Sequence, residues 1–214
     1  MIRAQNTVGC KKMYRYFFKR VIDLIISVIS LVILSPIFLL LCIMIKLDSK
    51  GPILFKQRRI GLNKDEFYIY KFRSMKIDTP QNQPTHMLAN PDAYITKLGK
   101  TLRKTSLDEL PQIINIIRGQ MSIAGPRPAL WNQYDLIAAR DEVGANGVRP
   151  GLTGWAQVNG RDELPIGVKA AFDGEYVANL TFLFDVKCFI KTFTSVLKAD
   201  GIVEGQKEEE PSND

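Results

Sequence analysis

The 214-residue sequence carries 29 lysines and arginines against 22 acids, a net charge of +7. The excess is uneven: from Val203 onward Glu204, Glu208, Glu209, Glu210 and Asp214 face only Lys207, which leaves +11 on residues 1–202 (+7 overall less the tail's −4). Such a basic body calls for an anionic partner, whether nucleic acid, anionic lipid or a phosphorylated substrate. Three widely spaced cysteines (Cys10, Cys42, Cys188) form neither a disulfide framework nor a metal-ligand pair, and the single histidine, His86, in a polar stretch, argues against Ser/His or Cys/His catalysis.

Residues 1–23 are basic, through Arg3, Lys11, Lys12, Arg15, Lys19 and Arg20, with Tyr14, Tyr16, Phe17 and Phe18 among them, in the manner of a segment approaching a membrane surface. Leu24 to Ile45 then holds no charge. At 1.5 Å per residue such a helix is about 33 Å long, enough to cross a bilayer core. It is too long for a cleavable signal and lacks a small-residue cleavage site. Ser35-Pro36, near its middle, removes a backbone hydrogen bond and predicts a break. Positive charge flanks both sides: Lys19 and Arg20 before, Lys46, Lys50, Lys56, Arg58 and Arg59 after. By the positive-inside rule both flanks stay cytoplasmic, which a re-entrant helix–break–helix satisfies and a single span does not. An ordinary proline-containing span stays open beside it.

Gly51-Pro52 ends the segment. Strands are predicted over Ile53–Gln57 and Phe67–Arg73, joined at Gly61–Asp65, with Lys71 and Arg73 on one face of the second. Lys76 to Pro91, with three prolines, reads as a long surface loop. Tyr94–Lys104 reads as a helix leading into Thr105-Ser106-Leu107-Asp108-Glu109-Leu110-Pro111-Gln112. There Ser106 and Glu109 have the spacing of a capping box, and Leu110, Ile113, Ile114 and Ile117 recur at helical spacing before Gly119 as a stop. The acid pair Asp108-Glu109 thus falls in a predicted first turn, where the helix dipole favours anions. That alone is ordinary end chemistry. Arg103, Lys104, Arg118 and Arg127 nearby exceed what a helix start needs and suit a diphosphate.

A helix is predicted from Leu130 to about Glu142. Val148 to Arg161 holds Pro150, Gly151, Gly154 and Gly160, so special backbone angles are required there, and Arg149 and Arg161 add two guanidinium groups. Trp155 suits either a base or sugar platform or the core. Phe184 to Ala199 is a last helix, with Lys187, Lys191 and Lys198 on one face and Phe189, Phe193, Val196 and Leu197 on another; a membrane-interface helix and a core helix both fit. The tail after Glu204 is acidic and reads as disordered.

The sequence has no GxxxxGK[ST] or GxGxxG loop and no His/Cys metal cluster. What remains is a carboxylate pair, many arginines and a membrane element. Carboxylates with Mg²⁺ suit diphosphate chemistry, and a carboxylate can attack phosphorus to form an acyl phosphate. Lys19-Arg20-x-x-Asp23, Ser35-Pro36, Tyr70 to Met75, Thr105 to Gln112, Met121-Ser122-x-x-Gly125-Pro126-Arg127-Pro128 and Arg149-Pro150-Gly151-x-Thr153-Gly154-x-Ala156-Gln157-Val158-x-Gly160-Arg161 follow in order. Together, over about residues 13–203, they resemble the bacterial sugar transferases, the small monotopic polyprenyl-phosphate phosphoglycosyltransferases.

The resemblance implies a UDP-sugar donor and an undecaprenyl phosphate acceptor at the cytoplasmic face of a bacterial inner membrane. Its product would start capsule, exopolysaccharide, O-antigen or glycoprotein glycan assembly. Asp108 would be the nucleophile, taking the phospho-sugar and releasing UMP. Glu109 would help bind Mg²⁺, with Asp108, or assist proton transfer. Arg127 and Arg103 would hold phosphates, with Lys71, Arg73, Arg149 and Arg161 as further substrate cations. Ser35-Pro36 would break the re-entrant helix, and Arg20 with Asp23 would fix it at the headgroups. The expected fold is α+β, mostly helical with a small β-hairpin: a basic leader (1–12), a re-entrant membrane helix (13–50), a cytoplasmic catalytic domain ending in an amphipathic helix (51–203) and an acidic tail (204–214). Nucleic acid is not an expected partner, and self-association stays open. A membrane-bound nucleotide-sugar diphosphate hydrolase, and a non-catalytic membrane module binding anionic lipid or nucleic acid, are the alternatives.

Overall fold

The computed structural model describes residues 13–80, 91–160 and 164–198; the leader, His86, Arg161 and the acidic tail lie outside the described residues. The described residues are mostly helical, as the sequence predicts, with two small sheets. Helix α1 (Lys19–Asp48) follows a π-helical turn at Tyr14–Phe18. It runs unbroken through Ser35-Pro36, where the sequence predicts a break. The reason is local: Pro36 has no N–H to give the Val32 carbonyl, and the Ser35 hydroxyl donates to that same carbonyl at 2.7 Å.

One stripe of α1 faces the rest of the protein. Lys19, Asp23 and Ser27 are buried near its start, Leu41 and Ile45 near its end, and Leu31, Leu34 and Phe38 are half-buried between them. The opposite face exposes Ile25, Ile29, Val32, Ile33, Leu40, Leu47 and other apolar side chains. A soluble protein rarely leaves so wide an apolar surface uncovered, and α1 with its preceding turn is long and apolar enough to cross a membrane.

Strands β1 (Leu54–Ile60) and β2 (Glu66–Phe72) form an antiparallel hairpin in register Leu54↔Phe72 to Ile60↔Glu66. Helix α2 (Lys97–Lys104) starts later than predicted, at Thr96, whose hydroxyl accepts the Gly99 N–H. A 3₁₀ turn (Leu107–Glu109), helix α3 (Gln112–Ile117) and strand β3 (Ser122–Ala124) follow. Gly119 ends α3 as predicted, at φ +81°. Helix α4 (Tyr134–Glu142) precedes β4 (Gly151–Thr153), which pairs parallel to β3. Close approach explains the glycines here: a Cβ on Gly125 would sit 2.5 Å from the Arg149 carbonyl oxygen. Helices α5 (Ile166–Ala178) and α6 (Phe182–Lys198) close the fold. The sequence reading misses α5, because Gly167 and Gly174 interrupt its pattern.

Candidate active site

The acid pair is set by apolar packing beneath it. Leu107 and Leu110 pack against the cluster of Leu41, Ile45, Phe72 and Leu102, so the turn is clamped between α1, β2 and α2. Ser106, at φ +56°, turns the chain out of α2. A non-glycine residue there is uncommon and costs about 1 kcal/mol or more. The predicted capping box does not form: the Ser106 side chain makes no capping bond, and the acids precede α3, six residues long, instead of lying in its first turn. Glu109 is held by side chains instead. Lys71 Nζ donates to its Oε1 at 2.7 Å, Arg127 Nη2 to the same oxygen at 2.8 Å and Arg127 Nη1 to Oε2 at 3.4 Å.

Asp108 is treated differently. It is buried, at 6 % exposure, and no hydrogen-bond donor reaches its carboxylate among the described residues. Burial pushes its carboxyl up from the ordinary aspartate value, with the Glu109 charge adding to the rise and Lys71, Arg103 and Arg127 opposing it. Burial also works to raise Glu109, but Arg127 and Lys71 outweigh it and hold that carboxyl well below the usual range. The environments therefore split two adjacent acids into a locked carboxylate and an unbonded one, a pattern that assigns different chemical roles.

The other predicted residues divide. Arg103 places Nη1 3.8 Å from the Met75 sulfur and acts on Asp108 through its charge. Arg73 is spent elsewhere: its guanidinium donates to the Lys50, Ser49 and Ile45 carbonyls and the Ser49 hydroxyl, capping the end of α1. It lies one residue past β2, where strand alternation with Lys71 no longer applies. Arg149 Nε donates to the Gly119 carbonyl at 2.9 Å, and Arg118 donates to the Tyr70 hydroxyl at 2.6 Å. Arg161 lies outside the described residues. Arg20 and Asp23 turn inward instead of outward to headgroups: Arg20 donates to the Ile116 and Ile117 carbonyls at the end of α3, and Asp23 accepts from the Ser122 hydroxyl and the Ile123 N–H. Buried charge needs such partners.

A second polar hub escapes the sequence reading. Asp185 of α6 accepts from Lys19 Nζ at 2.5 Å, from the Tyr14 hydroxyl at 2.6 Å and from the Tyr176 hydroxyl at 2.7 Å. A lone aspartate in a basic helix carries no local signal of that role. Trp155 takes the core option: it is buried beside Tyr176, Leu180 and Cys188, and its indole N–H donates to Glu175 at 2.8 Å.

For Mg²⁺, the donors present are hard carboxylate oxygens, and two carboxylates with substrate phosphates are a set that ion accepts. Asp108 offers unbonded oxygens, and Glu109 keeps lone pairs beyond those given to Lys71 and Arg127. Among the described residues no third acidic or His/Cys ligand joins them.

Residues 14–199 match the family model described as bacterial sugar transferase. The chain is 38% identical over 197 residues to the exopolysaccharide production protein ExoY of Sinorhizobium fredii, covering 86% of this chain and 87% of that one. It is 39% identical over 182 residues to a UDP-glucose:undecaprenyl-phosphate glucose-1-phosphate transferase of Xanthomonas campestris, covering 82% of this chain but 38% of that protein's length. It is 37% identical over 184 residues to the uncharacterised sugar transferase EpsL of Bacillus subtilis, with 86% and 89% covered.

Proposed function

The chain belongs to the bacterial sugar transferase family, and we propose that it moves a sugar 1-phosphate from a UDP-sugar to undecaprenyl phosphate, in exopolysaccharide or related glycan synthesis. The observation that carries the mechanism is the contrast within the acid pair: Glu109 is bound by Lys71 and Arg127, while Asp108 is buried with no donor on its oxygens among the described residues. A largely buried carboxylate with no hydrogen bond on its oxygens, in the field of Lys71, Arg103 and Arg127, is well placed as a nucleophile toward an anionic phosphorus centre.

An Asp108 oxygen attacks the phosphorus that bears the sugar. The new O–P bond forms as the bridging P–O bond of the diphosphate breaks, and UMP leaves with that oxygen and its electron pair. A phosphate oxygen of undecaprenyl phosphate then attacks the same phosphorus. The aspartyl O–P bond breaks, Asp108 regains its carboxylate, and undecaprenyl diphospho-sugar departs. Arg127 and Arg103 hold phosphate oxygens, and Lys71 keeps Glu109 in place beside them. Asp108 and Glu109 would hold Mg²⁺ together with the diphosphate, and the ion would supply neutralisation of charge on the leaving phosphate.

The reading of the membrane arrangement rests on α1. Its two ends bury against one domain, Lys19 and Asp23 at the start and Leu41 and Ile45 at the finish. A straight span would put its ends on opposite sides of a bilayer core about 30 Å thick. Burial of both ends on one domain, with basic flanks on both, supports a monotopic helix that dips into the cytoplasmic leaflet of the bacterial inner membrane.

The test uses membranes carrying the protein and a panel of UDP-sugars, assayed for UMP release with and without undecaprenyl phosphate. Continuing release that requires the acceptor is expected; with acceptor withheld, release should stop at one UMP per enzyme, with one phospho-sugar mass on the Asp108 peptide. Free sugar phosphate formed without acceptor would identify a hydrolase instead.

A further inference from the structure

Helix α6 is amphipathic in an unusual sense. Cys188 points to the core, and Phe182, Leu183, Val186, Phe189, Ile190 and Phe193 are exposed on the opposite side. At about 100° per residue these six fall on one face. That face is continuous with the base of α1, since the Tyr14 and Phe182 rings meet edge-on at 6.4 Å and Lys19 pairs with Asp185. Lys187 and Lys191, one turn apart, lie along the border between the exposed apolar face and the buried one.

Both ammonium groups converge on one ring: each lies 4.6 Å from the centroid of the Trp155 indole. Among the described residues neither is paired with a carboxylate. The acids nearest in the packing are engaged, Asp185 by Lys19 and two tyrosines and Glu175 by the Trp155 N–H. Two like charges held against one indole gain some cation–π attraction, but each also raises the local positive potential at a membrane-facing border. Trp155 follows directly on Gly154, and Gly151 and Thr153 bond to Pro126 and Gly125, two residues or fewer from the Arg127 that holds Glu109. The pair is thus mounted on the same backbone framework as the candidate active site.

We propose that Lys187 and Lys191 form a binding site for a phosphate group carried by a lipid at the membrane surface. The apolar face of α6 would set the depth, and the two lysines would meet the phosphate as it enters from the bilayer. The inference rests on the membrane reading above, and its chemistry is shared by undecaprenyl phosphate and anionic phospholipid headgroups.

Trp155 serves as the reporter. In full-length protein carrying Trp131→Phe, so that Trp155 is the sole tryptophan, emission is followed in neutral detergent micelles during titration with phosphatidylcholine, phosphatidylglycerol or undecaprenyl phosphate. A saturable change is expected with an anionic lipid and none with phosphatidylcholine. A response to undecaprenyl phosphate alone assigns the site to the acceptor, and a response to both assigns it to anionic headgroups in general. In Lys187→Gln/Lys191→Gln the apparent affinity should fall about thirty-fold, the factor to which ~2 kcal/mol corresponds for two basic residues near an anionic surface. Lys187→Arg/Lys191→Arg should keep it, which a purely structural contact with the indole does not require. If emission ignores anionic lipid, or the double glutamine variant binds as tightly as wild type, the site does not exist. The titration does not depend on turnover, so an absence of UMP release would fail the enzymatic reading and leave this one standing. Wild-type protein that does not partition into phosphatidylcholine vesicles would fail the membrane reading on its own.

Discussion

Two of the regions that bury charge do it in opposite ways. Where the base of α1 meets α6 and β3, each charge has a partner: Lys19 with Asp185, Asp23 with Ser122 and the Ile123 N–H, Arg20 with the Ile116 and Ile117 carbonyls. At the acid-pair turn, Glu109 is held by Lys71 and Arg127 while its neighbour Asp108 is buried without a hydrogen bond from any described residue. Burying an ion costs several kcal/mol unless it is paired. A fold keeps the first arrangement because it specifies how two segments dock. The second has no such structural return, which is why it marks the chemistry.

The largest expected effect breaks the second region. Asp108→Asn should lower UMP release by about 10³-fold or more, since the attacking charge is gone. Stability should move the other way. The folded-state value of Asp108 is raised, so the native state binds its proton more tightly than the unfolded chain does. Its ionised form therefore costs stability above that raised value, and the cost fades as pH falls toward the ordinary range near about 3.9. Chemical denaturation at neutral pH should find the Asn variant as stable as wild type or more so, with the difference shrinking in acid. Glu109 has the reverse sign: its depressed value stabilises the fold above the ordinary glutamate range, and that contribution is lost only as pH falls through the depressed value. A wild-type turnover rate in Asp108→Asn would end the nucleophile assignment.

Next in size is Arg127→Lys, which tests whether the locked partner matters by geometry or only by charge. Arg127 grips both oxygens of Glu109 with two nitrogens. Lysine keeps the charge and loses the fork. A fall of about 10²-fold in kcat/KM is expected, with an unchanged unfolding midpoint. A near-neutral result would reduce Arg127 to a counter-charge.

Asp185→Asn makes the converse case in the first region. It leaves the Lys19 ammonium, at 10 % side-chain exposure, without its anion. Losing one partner of a buried pair costs about 3 kcal/mol, or roughly 6–12 °C in Tm for a chain of this size. Turnover per folded molecule should survive. If instead activity collapsed at full stability, the distinction between the two regions would fail.

The two regions also differ in what the sequence discloses. The acid pair, Lys71, Arg103 and Arg127 are legible because short-range cues and motif order point to them. Their geometry is not: Ser106 and Glu109 have capping-box spacing, yet two cations from other segments compete for the Glu109 carboxylate and win. Arg20 and Asp23 read as headgroup anchors and Arg73 as a substrate cation because local sequence cannot reveal that a distant carbonyl or amide will engage them. Asp185 is invisible for the same reason. The hairpin and α6 are legible through alternation and helical spacing. The glycine-bearing α5 depends on tertiary packing, with its Ala170, Asp173 and Tyr176 buried.

The smallest effect is expected at Ser35-Pro36, where the apolar helix carries one polar repair. The Ser35 hydroxyl donates to the Val32 carbonyl that Pro36 leaves without an amide partner. Ser35→Ala removes that bond, worth about 1 kcal/mol in water and held in apolar surroundings here. Pro36→Ala should do more to topology than to stability, because the new N–H takes the Val32 carbonyl and removes the proline's tendency to bend the already continuous helix. The basic flanks oppose crossing, since one set must then be translocated. A mixture of orientations is expected, with activity lowered in proportion to the misoriented fraction. The measurement is labelling by a membrane-impermeant thiol reagent of single cysteines placed at Thr7 or Gly205, with Cys10, Cys42 and Cys188 replaced. With Pro36 retained, both sites should be protected in intact cells and labelled after lysis; external labelling at Thr7 in that protein would mean that the segment spans. Retention of full protection in Pro36→Ala would instead assign the topology to the burial of Lys19, Asp23, Leu41 and Ile45 on one domain, with the proline a passenger.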